Sequence, residues 1–247
     1  PARGTFAGYA FEADLDIESF FDFHAAVCSQ LKLKGAKSIE VLLPPMAHDN
    51  LAFANQLYML RSDGFKMVQC NLNHSILVDK EPLAEKMSYG NQKRLRKCTR
   101  EGLIAERLPI SALTGVYETL AANRSSKGHV MSMTLAQLEE MANIFPESIV
   151  LFGTRVNEGY AAAALCLRLS STVLYVFYWG DYPGYNLFSP VVGIANIIYS
   201  YCNTEGIKIL DVGTSTLDDV PNHGLIRFKR GLGFTESLKV HMKKTYD

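Results

Sequence analysis

The chain has 247 residues, 48% of them hydrophobic and 20% charged, with a formal net charge of zero. That composition predicts one large packed domain, or two small ones sharing a core, and excludes a disordered chain. Zero net charge excludes bulk electrostatic capture of nucleic acid or an anionic membrane, leaving only a local patch for such a role. No apolar run approaches the ~20 residues of a membrane span and none resembles a signal peptide, so a cytoplasmic location is expected. The start, Pro1–Ala2–Arg3, lacks Met, as in a processed or trimmed chain. Five cysteines, Cys28, Cys70, Cys98, Cys166 and Cys202, are scattered without a Cys-x-x-Cys pair and read as reduced, mostly buried thiols.

In chain order, Gly4–Phe11 alternates weakly and reads as a strand. Ile17, Phe20, Phe21, His24, Val27, Cys28 and Leu31 recur at helical spacing, and Gly35 ends that helix. His24 reads as a satisfied core residue on its apolar face. Ser38–Leu43 is a short strand stopped by Pro44–Pro45. Leu51, Ala54, Tyr58 and Arg61 mark a second helix with Gly64 at its C-terminal cap. Met67–Val78 reads as one or two strands. A dense basic helix follows within Glu81–Ala105, with Lys93, Arg96, Lys97 and Arg100 on one face. That face reads as a solvated surface or as a clamp for phosphate or carboxylate. The next helix buries Leu113, Val116, Tyr117, Leu120 and Ala121 and ends in the polar loop Asn123–Gly128, which could cover a pocket. Thr134–Leu135–Ala136–Gln137 is a capping box opening another helix.

Three strands then follow, Ser148–Val156, Gly159–Leu169 and Thr172–Gly180, joined by the hairpin-sized gaps Asn157–Glu158 and Ser170–Ser171. The helix Val191–Cys202 ends at Gly206. A strand with a buried acid, Ile207–Asp211, a helix through Phe228 and a closing strand complete the chain. The first half echoes this order. Gly35–Val41 resembles Gly206–Val212, and Arg61–Phe65 resembles Arg230–Phe234. The echo predicts a divergent duplication with a truncated first half. The expected division is 1–80 as the partial half, 81–110 as a basic linker and 111–247 as the half that carries chemistry.

Three segments carry a family resemblance. Asn91–Leu103 is similar to a basic pattern of the form R-x-I-R-K-A-x-K-x-G, Leu210–Gly213 to an Asp-x-Gly strand end, and Gly224–Phe234 to G-L-x-x-F-K-x-x-F-G. In this order they resemble the GNAT acyltransferase superfamily, in its Fem-like (FemAB-type) branch of tandem halves. The resemblance implies an α/β fold with a mixed sheet and transfer of an acyl group to a small-molecule or peptide amine. The donor would be acyl-CoA as co-substrate, or aminoacyl-tRNA. There are two departures. The long helical arm that bridge-forming Fem enzymes insert has no counterpart, and Pro183–Pro190 stands where the glycine-rich pyrophosphate loop belongs. The alternative is a non-catalytic binding module that keeps the fold.

Acyl transfer to an amine needs a polarised carbonyl, a neutral amine and a protonated leaving group. In a site of this type Phe177–Gly180 would line a wedge of exposed backbone amides. Ser189, Val191, Val192 and Gly193 would offer a helix N-terminus to donor phosphates, with Ser189 as N-cap and Pro190 in the first turn. Asp211 reads as an orienting or deprotonating group or as a turn residue. Lys229 reads as a partner of developing charge or as a solvated lysine. Tyr178 reads as a proton donor or as packing, and His223 as a loop base or merely exposed. Arg94, Lys97, Arg124 and Lys127 are the candidate substrate contacts. No His/Cys/Asp/Glu group has metal-ligand spacing, so no metal is expected.

Overall fold

The computed structural model describes residues 5–10, 15–157, 159–217 and 219–246. It is a mixed α/β fold. In chain order the elements are α1 (Ile17–Leu33), β1 (Ser38–Leu42), α2 (Asn50–Ser62), β2 (Lys66–Leu77), α3 (Leu83–Lys86), α4 (Tyr89–Arg100), β3 (Ala105–Leu108), α5 (Leu113–Ser125) and α6 (Leu135–Ile144). They continue with β4 (Ile149–Val156), β5 (Gly159–Arg168), β6 (Val173–Asp181), α7 (Val191–Thr204), β7 (Ile209–Thr214), β8 (Thr216–Leu217), β9 (Val220–Pro221), α8 (His223–Gly231) and β10 (Thr235–Thr245). Residues 5–10 form no strand, contrary to the reading of Gly4–Phe11, whose two end residues lie outside the described residues. The hairpin residue Glu158 lies outside them as well.

The chain forms two compact units that are not consecutive pieces of sequence. Unit 1 is Pro1–Asn73, Thr214–His223 and Glu236–Asp247; unit 2 is His74–Gly213 and Gly224–Thr235.

In unit 1, β1 pairs antiparallel with β10, from Ser38 opposite Thr245 to Leu42 opposite His241. The first strand of this unit is therefore completed by the last strand of the chain. Its core gathers Phe20, Leu43, Phe53, Met59, Leu60, Phe65, Val240 and Met242.

In unit 2 the strands lie in the order β7-β6-β5-β4-β3. The β3-β4, β4-β5 and β5-β6 pairs are antiparallel, and β6 and β7 are parallel. Period-two alternation sorts β5 onto two faces. Ala162, Ala164 and Cys166 pack with Ile194, Ile198 and Cys202 of α7, while Ala163 and Leu165 pack with Val116 and Leu120 of α5 and Leu138 of α6. Alanines at 161–164 leave room for helices on both faces. The sheet is therefore dry on both sides, and the segment 161–166 is fully buried.

Five helix-to-strand joints share one geometry, Gly102 between α4 and β3 (φ of 72°, with the Leu103 amide on the Cys98 carbonyl) and the four glycines of the sequence echo. Gly35, Gly64, Gly206 and Gly233 have φ of 83°, 81°, 70° and 97°. After each of them, the next amide reaches back to a carbonyl in the last helical turn: Ala36 to Leu31, Phe65 to Leu60, Ile207 to Cys202 and Phe234 to Lys229. These are Schellman closures, which need a residue without Cβ strain in the left-handed region. Four of them fall at the glycines that the two echoing sequence stretches share. The capping box on α6 is present in full, with Thr134 and Gln137 bonding each other's backbone.

Candidate functional site

The candidate site lies in unit 2, where β6 and β7 part. Their pairing covers only Val173 opposite Ile209, Leu174 opposite Leu210 and Tyr175 opposite Asp211. Both strands run on beyond that point, β6 to Asp181 and β7 to Thr214. Along the separated stretch β6 bonds β5 alone, which leaves main-chain groups on its other edge without a strand partner. A bulge sits in the same stretch. Leu165 opposes Tyr178 and Cys166 opposes Val176, so Phe177 has no opposite number.

At the parting, Asp211 is fully buried and its Oδ1 accepts from the Gly213 amide at 2.7 Å. Lys229 of α8 is 1% exposed, and its Nζ donates to the Gly213 carbonyl at 2.9 Å. Gly213 has φ of +75°, and a Cβ there would lie 3.6 Å from the Tyr175 hydroxyl. The Asp-x-Gly pattern thus follows from geometry: the carboxylate folds onto the amide two residues on, in a left-handed turn that glycine adopts without strain. Burial pulls the Lys229 amine down to about 7, with the Asp211 charge opposing the shift. Burial and Asp211 also raise the Tyr175 phenol. Lys229 is therefore no solvated lysine, and Asp211 does hold a turn.

The start of α7 differs from expectation. Pro190, not Ser189, is the N-cap, and no side chain of its own caps it. Ser189 sits at φ of 53°, with its hydroxyl donating to Asn186. The Val191 amide is taken by Asp181 Oδ1 at 2.8 Å and the Val192 amide by the Ser189 carbonyl at 3.0 Å. Val191, Val192 and Gly193 are all buried. Burial pushes the Asp181 carboxyl up, while the Val191 amide and Lys127 pull it back. Two of the amides expected to greet a donor pyrophosphate are thus occupied, one of them by an acid that would repel it. This helix start does not fit coenzyme A in the expected way. Asp181→Asn keeps an oxygen for Val191 and removes the charge. It should change stability by less than about 1 kcal/mol, whereas Asp181→Ala should cost about 0.5–2 kcal/mol, as loss of a cap does; chemical unfolding of both variants checks the pair.

The remaining candidates divide among different places. Tyr178 is 6% exposed, and its hydroxyl bonds both the backbone amide and the hydroxyl of Ser132. It packs with the α5–α6 core. Arg124 stacks on the Tyr178 ring at 5.5 Å and donates to the Val130 carbonyl, and Lys127 donates to Asn123. Asn123 in turn donates to the Asp181 carbonyl. Lys97 lies over the Phe188 ring at 4.9 Å and donates to the Leu187 carbonyl, so it props the loop before α7. His223 is exposed at the first position of α8 and belongs to unit 1. Arg94 donates to Asn91 and lines a cavity of about 440 Å³ with Ser88, Gly90, Asn91, Arg227 and Gly231. Both arginines are exposed, and a Cβ on Gly231 would press on Asn91 at 2.8 Å. A second cavity of about 430 Å³ is lined by Glu118, Tyr160, Tyr182 and Tyr185. The sequence reading missed Asp181, Arg227 and this tyrosine cluster. Asp181 ends β6 immediately after the segment assigned to the wedge, a place where an acid has structural meaning.

No protein-family model matches the sequence. No curated protein matches it either. Solved structures do. The chain is similar to FemX with a TM-score of 0.75 at 14% identity, covering 94% of this chain and 77% of that one. It is similar to the C-terminal domain of a putative lysylphosphatidylglycerol synthetase from Agrobacterium fabrum, with a TM-score of 0.60 at 12% identity over 92% of this chain and 73% of that one. A GCN5-related N-acetyltransferase from Kribbella flavida superposes with a TM-score of 0.50 at 12% identity, over 94% and 78%.

Proposed function

On a fold that is GNAT-like and of Fem type, we propose that this chain is an N-acyltransferase whose reaction centre lies where β6 and β7 part. The observation that carries the reading is the buried Lys229–Gly213–Asp211 arrangement at that parting. The acceptor is an amine and the donor an acyl group on a phosphate-bearing carrier. The amine attacks the acyl carbon, the new C–N bond forms, and the C–O or C–S bond to the carrier breaks. Main-chain amides along the unpaired edge of β6 and at the Phe177 bulge are the groups available to polarise the carbonyl. The proton that leaves the amine must reach the departing oxygen or sulfur. An amine of pKa about 7 at Lys229 Nζ can take and return it near neutral pH. Asp211 fixes the turn that holds Lys229.

Of the two donors that the sequence resemblance implies, aminoacyl-tRNA is favoured over acyl-CoA, because Asp181 occupies the α7 start. The cavity with Arg94 and Arg227 supplies two guanidinium groups for phosphate. The tyrosine cavity with Glu118 suits a cationic amine, which ring faces and a carboxylate both attract.

The test is direct. Radiolabelled aminoacyl-tRNA and acyl-CoA are each incubated with the full chain and a panel of amines, and acyl-amine product is measured. Faster turnover from the ester than from the thioester supports the reading. Turnover from neither, together with tight binding of one ligand, supports instead a binding module that kept the fold. The closed α7 start favours that second reading.

A further inference from the structure

Unit 1 contains a group of side chains that the acyl-transfer reading does not use. His24 and Cys28 stand four residues apart on α1, so one face of that helix presents both. Asp63, the C-cap of α2, meets them. His24 Nε2 lies 3.0 Å from Asp63 Oδ2, Cys28 Sγ lies 3.5 Å from His24 Nε2, and Cys28 Sγ lies 3.9 Å from Asp63 Oδ2. A tetrahedral zinc ion, with bonds of about 2.0–2.3 Å, holds such ligand atoms about 3.3–3.6 Å apart. The three atoms therefore stand close to the edges of a zinc tetrahedron.

The surroundings fit as well. The Tyr9 hydroxyl lies 2.7 Å from His24 Nδ1. If it accepts from Nδ1–H, the Nε2 lone pair turns toward the cluster, the orienting contact that ligating histidines usually have. Lys244 binds the other Asp63 oxygen at 2.7 Å, which leaves Oδ2 for the cluster. The Tyr246 hydroxyl stands within hydrogen-bonding reach of the Cys28 thiol. His24 and Cys28 are buried, and Asp63 is 35% exposed, which gives an entry path.

We propose that His24 Nε2, Cys28 Sγ and Asp63 Oδ2 form a zinc site, with water or the Tyr246 hydroxyl at the fourth position. Binding releases the Cys28 thiol proton to solvent, and the thiolate, imidazole and carboxylate suit a borderline-soft divalent ion. The sequence reading, which expects no metal, sees two ligands four residues apart on an apolar face and takes the histidine for core. The third ligand comes from another helix cap.

The experiment uses the full chain, stripped with chelator and titrated with zinc or cobalt(II). The expected result is one metal per chain, a higher melting temperature with zinc, and a thiolate-to-cobalt charge-transfer band. Cys28→Ser should abolish that band, and Cys70→Ser should leave it intact. Tyr9→Phe, which removes only the orienting contact, should weaken metal binding about 10- to 100-fold. Substoichiometric metal in the unmodified chain, or a charge-transfer band that survives Cys28→Ser, overturns the proposal.

Discussion

Lys229→Met is expected to destabilise the protein by about 1–3 kcal/mol, the cost of leaving the buried Gly213 carbonyl without its donor. Asp211 is fully buried, and its neighbour would lose the amine that now bonds Gly213. For a chain of this size that corresponds to a fall of roughly 2–12 °C in melting temperature. A solvated lysine, one of the two readings the sequence leaves open, could be removed without cost, and the 1% exposure of Lys229 excludes that. The pH dependence gives an independent readout. The folded pKa of about 7 lies below the 10.5 of a free lysine, so the unfolded chain binds the extra proton between those values. Lys229 therefore makes the protein more stable as pH rises from about 7 towards 10.5, by about 1.4 kcal/mol per pH unit. Below about 7 both states are protonated and the slope from this group vanishes. Urea unfolding across that range should show the slope in the parent and not in Lys229→Met. Turnover should rise through pH about 7 with the same ionisation, and a pH profile unchanged in Lys229→Met removes the lysine from the proton path.

Arg94→Ala and Arg227→Ala form the second pair. Both residues are exposed, so neither change should move the melting temperature by more than a degree or two. Each should remove a charge-assisted contact to donor phosphate worth about 1.5–3 kcal/mol, or roughly 10- to 150-fold in the dissociation constant. Binding of aminoacyl-tRNA should also lose part of its salt dependence in each variant. Lys97→Ala is the contrast. That lysine is bonded to the Leu187 carbonyl and should alter the loop before α7 more than donor affinity. Equal donor affinity in the parent and in both arginine variants would place the carrier elsewhere.

The parts of the fold that could be read in advance are those encoded within a few residues of themselves. The glycine closures at 35, 64, 206 and 233, the Thr134–Gln137 box and the β4–β6 meander are local patterns with local causes. Asp211-x-Gly213 belongs with them, because the side chain folds onto its own neighbouring backbone. What escaped was non-local. Asp181 caps a helix that begins ten residues later, across a Pro/Gly loop that the sequence presents as a phosphate grip. The burial of Lys229 depends on what packs over α8. The four residues of β3 are too short and too polar to announce a strand, and only their pairing with Leu151–Thr154 makes them one.

The pairing of β1 with β10 has a consequence for the way the molecule comes into being. Ser38 leaves the ribosome early, and its partner Thr245 is made only after all of unit 2 has been threaded out. The first unit must wait, with one strand edge unsatisfied, while the second assembles. Sequence-distant contacts of this kind slow folding and lengthen the interval in which an open edge can pair with the wrong chain. Loss of β10 would therefore damage unit 1 through β1, its partner strand, and holdase chaperones should associate longest with nascent chains that have β1 but not yet β10.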